Sequence, residues 1–149
     1  MKSRLRLYAL IGLFAFAIGF LWVYLLSNNQ EDLAVLSATV NRDCAPWDGS
    51  AFTVLIPYNA STNILISIWQ SPDIKLPVKY TFPDESMRAG NAIFQSPSGE
   101  YEQLTGRVSF LRVDRERPVQ GDFDLRDESG NQFRGKFIAE WGNEVAYCG

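Results

Sequence analysis

The chain has 149 residues, no histidine, two cysteines and a formal net charge of −3 from 14 basic and 17 acidic residues. Without histidine, serine–histidine and cysteine–histidine nucleophilic sites cannot form, and the usual zinc and haem ligand sets are incomplete. Three of the basic residues lie in the first six positions, which leaves 11 basic against 17 acidic residues in the rest of the chain. That acidic balance argues against a nucleic-acid-binding protein.

The N-terminal segment predicts a membrane anchor. Residues 7–26 run for 20 positions without a charge, and a helix of that length is about 30 Å long, the thickness of a bilayer core. A basic arm, residues 1–6, precedes it, and no Lys or Arg occurs in the next 15 positions. The positive-inside rule therefore puts the arm in the cytoplasm and the remaining chain outside. Because the run is long and lacks a small-residue cleavage site, an uncleaved signal-anchor is preferred to a cleaved signal peptide.

One face of the predicted span consists of small residues. Gly12, Ala15 and Gly19 recur at helical spacing, and such a face lets two helices approach closely. We therefore expect residues 7–26 to contact the lipid bilayer and, through this face, other membrane proteins.

Residues 27–36 are expected to form a polar linker, and residues 37–149 a single extracytoplasmic β domain. Cys44 and Cys148 lie near the two ends of that domain. Disulfides form in oxidising compartments, so the two cysteines are predicted to pair. The chain-entropy model gives a stabilisation of roughly 4.7 kcal/mol for a loop of about 100 residues.

The pattern of residues 37–149 predicts an all-β fold without a helix. Short alternating or apolar runs are separated by turn signals, and the prolines fall in turns or at strand margins. Eight or nine strands are predicted, at residues 51–57, 63–69, 78–82, 91–95, 101–104, 106–110, 121–125, 135–141 and 144–147. We expect a small antiparallel β-barrel or β-sandwich. Glycines at inward positions suit a strongly bent sheet, which favours the barrel.

The register of the hairpin near the C-terminus can be predicted from charge and glycine positions. Pairing Leu125 with Phe133 leaves residues 128–130 as a three-residue loop, with Gly130 at the bulge position that needs positive φ. This register opposes Asp124 to Arg134, Asp122 to Lys136, Phe123 to Gly135 and Phe137 to Gly121. Charge opposition and glycine–aromatic contact thus give the same answer independently.

The preceding hairpin extends the same pattern. Pairing Val108 with Phe123 places Arg107 opposite Asp124 and leaves residues 114–117 as a four-residue loop. Asp122 and Asp124 could form a catalytic carboxylate pair. A solvated charged face is preferred, because each acid already faces a basic residue.

Three aromatic residues are the candidate ligand-binding residues. Trp69 ends a strand and Trp47 and Tyr58 lie in loops, so the three could cluster at one end of the domain and bind a sugar or an apolar ligand. Packing at the core and rim is the simpler interpretation. Residues 127–131 faintly resemble a calcium loop, but a hairpin explains them better. Residues 59–61 match the glycosylation acceptor pattern.

These observations favour a membrane-anchored, non-enzymatic interaction domain, such as an accessory subunit of a membrane protein complex. The alternative is a β module that binds a small apolar or sugar ligand. A hydrolase based on Asp or Glu is the third hypothesis. No cofactor or metal site is predicted.

Overall fold

The computed structural model describes residues 34–148 apart from 73, 85, 87, 97, 115 and 144. The predicted basic arm, the membrane span with its small-residue face, and most of the predicted linker lie outside the described residues. Within the described residues, no helix is long and apolar enough to cross a bilayer.

The described residues form nine strands in one continuous sheet. The strands are β1 Val35–Cys44, β2 Ser50–Asn59, β3 Thr62–Ile68, β4 Val78–Phe82, β5 Gly90–Gln95, β6 Tyr101–Gln103, β7 Thr105–Arg112, β8 Val119–Arg126 and β9 Gln132–Trp141. Their order across the sheet is β4-β7-β8-β9-β1-β2-β3-β5-β6. The all-β class is therefore confirmed for this part of the chain.

The sheet curls into a half-barrel around one hydrophobic core. Phe52 on β2 and Phe110 on β7 are four strands apart in the sheet, yet their ring centroids are 5.5 Å apart. Phe94 on β5 contacts Phe133 on β9 at 5.3 Å. Rings on distant strands can meet only if the sheet bends toward its inner face. Burying one such side chain contributes roughly 1.5–3 kcal/mol, so the inner face supplies much of the stability.

One strand pair differs from the predicted antiparallel architecture. β1 and β9 are parallel, with Val35 beside Lys136 and Val40 beside Trp141, whereas the other pairs are antiparallel. β1 was not among the predicted strands, and it joins the two halves of the sheet. Because that sheet is continuous, a sandwich of two separate sheets does not form.

The predicted register of β7, β8 and β9 is confirmed. Val108 pairs with Phe123, and Leu125 pairs with Phe133. Gly130 has a φ of 86°, and its N–H donates to the carbonyl oxygen of Asp127 at 3.1 Å, as expected for a type I turn followed by a bulge.

The β7–β8 connection was predicted wrongly. The register shifts between Phe110 and Arg112, so β7 ends at Arg112 and the loop spans residues 113–118 instead of 114–117. The shift is a bulge that adds one residue to β7, and Leu111 points outward beside it.

The predicted disulfide is confirmed, and it fixes the C-terminal segment. Cys44 and Cys148 are bonded with their Cα atoms 5.5 Å apart, within the usual range. The N–H of Gly142 also donates to the carbonyl oxygen of Val40 at 2.8 Å. The described part of the predicted last strand, residues 145–147, forms no strand, because the chain there runs to the disulfide.

Candidate functional site

The β1–β2 loop brings together two of the three predicted ligand-binding residues. The N–H of Ala45 donates to the carbonyl oxygen of Gly49 at 2.8 Å, and Asp48 takes a positive φ of 61°. This tight turn leaves Trp47 52% exposed. Its ring meets Trp69 edge to face, with centroids 5.7 Å apart. The pair forms a small aromatic surface at the loop that follows Cys44.

Tyr58 does not join this pair. It lies near the opposite end of β2, half-buried, and its ring packs against Phe133 at 5.3 Å and Phe123 at 6.4 Å. Tyr58 therefore packs at the edge of the core, as the simpler interpretation expected, and lies apart from the Trp47–Trp69 pair. Tyr58 is apolar enough to cover the end of the core, and its position in β2 directs it there.

An exposed apolar cluster on the outer face of the sheet was not predicted. Val35 on β1, Leu111 on β7 and Ile138 on β9 line one depression of about 180 Å³. These side chains are 60%, 61% and 39% exposed. We call this cluster the outer patch. The sequence contained one sign of this cluster. Val35 and Ile138 are apolar, whereas the neighbouring outward residues of β1 and β9 are polar or charged.

The loop beside the outer patch is held in place by Trp141. Its indole N–H donates to the carbonyl oxygens of Asp114 and Arg117 at 2.5 and 3.1 Å. The guanidinium of Arg42 lies 5.5 Å from the centre of the same ring. These contacts attach the β7–β8 loop to β9, and the bulge that turns Leu111 outward lies directly before that loop.

Two charged residues border the outer patch. Asp122 on β8 and Lys136 on β9 are register partners and line the same depression. Within the described part of the chain they form no ion pair, although the sequence predicted opposed charges here.

The predicted opposition of Asp124 to Arg134 and Arg107 produces only one ion pair among the described residues. The carboxylate of Asp124 lies 3.3 Å from the guanidinium of Arg134 and accepts a hydrogen bond from the Gln132 amide at 2.6 Å. Arg107, its other register partner, makes no ion pair among the described residues. The Gln132 hydrogen bond and Arg134 lower the pKa of Asp124 despite partial desolvation. An acid that stays ionised is poorly suited to donate a proton, which weighs against a catalytic pair here.

Two other titratable side chains have shifted pKa values. Burial raises the pKa of Tyr80. Hydrogen bonds from the hydroxyl of Ser86 and from the N–H groups of Arg88 and Ala89 lower the pKa of Asp84. The Asp84 carboxylate thereby organises the β4–β5 loop, so its role is structural.

A wider depression of about 560 Å³ lies at the β5–β6 hairpin, lined by Phe94, Ser96, Gly99, Glu100, Tyr101 and Glu102. Both of its acidic side chains accept hydrogen bonds, Glu100 from the hydroxyl of Ser98 at 3.1 Å and Glu102 from the N–H of Glu128 at 2.9 Å. Among the described residues, no group of three or more Cys, Asp or Glu is arranged to bind a metal ion.

Comparisons with protein-family profiles, with curated proteins and with solved structures give no match. The function of this protein is therefore inferred from the residues of this chain alone.

Proposed function

We propose that this protein is a membrane-anchored, extracytoplasmic interaction domain without catalytic activity of its own. The outer patch carries the proposal. Single exposed apolar residues are ordinary, but several that line one depression rimmed by polar groups favour an interaction site. Val35, Leu111 and Ile138 share one depression, bordered by Asp122 and Lys136, which form no ion pair with any residue that the structure describes.

The anchor and the compartment belong to the same proposal. Residues 7–26 would act as a signal-anchor, with the half-barrel domain outside the cytoplasm. The Cys44–Cys148 disulfide supports an oxidising compartment. In the bilayer, the small-residue face of Gly12, Ala15 and Gly19 would add a second contact to a membrane-protein partner.

The proposal is tested by capturing the full chain and its partners from membranes in gentle detergent. Val35→Asp places a charge in the outer patch, and Val145→Asp is its matched control, because the two valines are 60% and 59% exposed. We expect Val35→Asp to reduce the captured partner at least about tenfold, which corresponds to about 1.4 kcal/mol. Val145→Asp should leave capture unchanged.

Equal thermal unfolding midpoints for the two variants would show that the loss reflects binding and not folding. Leu111→Asp provides a second lesion in the patch, on a different strand. Full capture by both Val35→Asp and Leu111→Asp would contradict the proposal.

A second candidate function, binding of a small apolar or sugar ligand, is supported by the half-exposed Trp47 against Trp69. A monomeric protein that retains a small molecule through purification, and loses it in Trp47→Ala, would favour this function instead.

A further inference from the structure

We infer that Trp47 and Trp69 form a binding surface for a neutral polysaccharide, separate from the outer patch. This inference rests on the second candidate function and on the proposed extracytoplasmic location, where cell-surface polysaccharides are found. It names a sugar and not an apolar molecule as the ligand, and a polymer in place of a free small molecule.

The β1–β2 loop presents the indole ring of Trp47 to solvent. The N–H of Asp48 donates to the carbonyl oxygen of Ala45 at 3.0 Å, which places Pro46 and Trp47 at the two central positions of a β-turn. Proline is favoured at the first of these positions, because its fixed φ suits the turn. Asp48 then takes a positive φ of 61°, a conformation that aspartate adopts more readily than most residues. The backbone of the turn therefore sets the position of the ring.

Neighbouring residues hold the Trp47 ring in place. A Cβ atom at Gly49 would lie 2.8 Å from Nε1 and 3.1 Å from Cδ1 of Trp47, so the indole uses the space that glycine leaves open. Trp69 contacts the same ring edge to face, with an interplanar angle of 84°. The N–H of Trp69 donates to the carbonyl oxygen of Ala89 at 3.0 Å, which fixes its backbone. A ring held in this way loses little conformational entropy when a ligand packs on it.

The shape of this surface favours a sugar over an apolar molecule. Sites for apolar ligands are concave and bury most of the ligand. Trp47 instead remains 52% exposed, so a ligand covers its ring from the open side only. A pyranose has a face of C–H bonds that packs flat on an indole ring, while its hydroxyl groups stay hydrated around the edge.

Polar groups with unused hydrogen-bonding capacity lie beside the ring. Within the part of the chain that the structure describes, the indole N–H of Trp47 and the carboxylate of Asp48 form no hydrogen bond or ion pair. A sugar hydroxyl can accept from the indole N–H, and another can donate to the carboxylate. An apolar ligand would use neither group.

Charge restricts the ligand to a neutral polymer. Asp43 and Asp48 are both exposed at this loop, and residues 7–149 contain 11 basic against 17 acidic residues. A polyanion is therefore repelled. Because one ring offers few contacts, the dissociation constant for a single sugar unit should be on the order of 1 mM. A polymer offers many units, and several anchored copies in one membrane can engage it together.

Cosedimentation with insoluble polysaccharides tests the inference on the full chain, in a detergent whose headgroup is not a sugar. The probes are three neutral polymers, cellulose, chitin and granular starch, and an anionic carboxymethyl cellulose resin. We expect the wild-type chain to bind at least one neutral polymer, and to bind the anionic resin at least about tenfold more weakly. Trp47→Ala should weaken binding to the neutral polymer at least about tenfold.

The matched control is Tyr101→Ala, because Tyr101 is a 64% exposed aromatic residue on β6. It should bind like wild type. Gly49→Ala keeps both indoles but displaces the Trp47 ring, so it should also weaken binding. Trp47→Phe retains a flat ring and should bind more tightly than Trp47→Ala. Equal thermal unfolding midpoints would show that the losses reflect binding and not folding.

Failure to bind any of the three neutral polymers would overturn the inference, as would equal binding by wild type and Trp47→Ala. Equal binding to the anionic resin would do the same. Competition by tetramethylammonium chloride, but not by soluble oligosaccharides of the bound polymer, would assign the ring to an ammonium ligand and also overturn it.

These outcomes are distinguishable from those of the proposed function. Val35→Asp should bind the polysaccharide like wild type, and Trp47→Ala should capture the membrane-protein partner like wild type. The interaction domain would survive a lack of polysaccharide binding. It would fail separately if neither Val35→Asp nor Leu111→Asp changed any captured partner.

Discussion

Two glycines of the central strands are required by the aromatic rings that cover them. A Cβ atom at Gly121 would lie 2.6 Å from the ring of Phe137 and 2.3 Å from the carbonyl oxygen of Ser109. At Gly135 it would lie 2.9 Å from the ring of Phe123. An added methyl group at either site needs displacement of a packed neighbour, and at Gly121 that neighbour includes backbone, which moves less easily. This is why glycine and phenylalanine positions predicted the register.

Gly130 is required for its backbone conformation and not for space. Its φ is 86°, and a Cβ there would contact nothing within 4 Å, so any effect of a side chain is conformational. Gly130→Ala should lower the free energy of unfolding by about 1–2 kcal/mol. Ser129→Ala, in the same exposed turn, is the control and should change it by less than about 0.5 kcal/mol. Chemical denaturation followed by circular dichroism provides the measurement, and equal effects would contradict the prediction.

The β8–β9 hairpin couples stability to pH through Asp124. Its pKa is lowered in the folded protein, first by the Gln132 hydrogen bond and then by Arg134. The stabilisation is therefore present above the ordinary aspartate pKa of about 3.9 and is lost as the pH falls through the lower folded value. The side chain is 37% exposed, so solvent screening limits the effect to below about 1 kcal/mol.

Asp124→Asn should therefore reduce the acid-induced loss of stability below about pH 4. Thermal unfolding midpoints measured between pH 7 and pH 2.5 would reveal the difference. Asp122→Asn removes a carboxylate from the same strand without breaking an ion pair of the described domain, so its effect should be smaller. A pH profile of Asp124→Asn that coincides with wild type would contradict the assignment.

The elements that could be predicted from sequence are those with local signals. The β8–β9 hairpin combines a five-residue connection, a bulge glycine and opposed charges within about 20 residues, so its register follows from neighbouring positions. β1 has none of these signals. Its first outward residue, Val35, is apolar, so the strand begins without a polar outer face. Its partner β9 is distant in sequence. The bulge at Leu111 was missed for a similar reason, since alternation resumes at Val113 and only tertiary pairing shows the extra residue.

At the scale of the whole molecule, the disulfide closes a loop of 104 residues. Replacing both cysteines by serine should lower the free energy of unfolding by about 2–4 kcal/mol, mainly by freeing the unfolded chain. Denaturation of the oxidised wild type and of the double variant, under identical detergent conditions, measures the difference. Reduced wild type should behave like the variant. Unchanged stability in the variant would contradict the prediction.

The candidate site was predictable only in part, because it depends on how strands from both halves of the sheet meet. Trp47 and Trp69 were expected at one end of the domain, and adjacent strands place them there. Tyr58 was considered as a third member, but it lies near the last residue of β2 while Trp47 lies in the loop before its first residue, so most of the length of this strand separates them. The outer patch draws on β1, β7 and β9, and β1 was absent from the predicted strands. Without β1 in the predicted sheet, the outer patch could not be predicted from the sequence.

The parallel ladder between β1 and β9 joins the first strand of the domain to be synthesised with the last. Ribosomes add about 5–20 residues per second, so the roughly 100 residues that separate Val35 from Lys136 take on the order of 5–20 s to appear. During that interval one edge of β1 has no native neighbour and is open to pairing with other chains. The N-terminal half therefore exposes an unpaired strand edge until β9 has been made, and we expect stalled synthesis between these strands to produce aggregates.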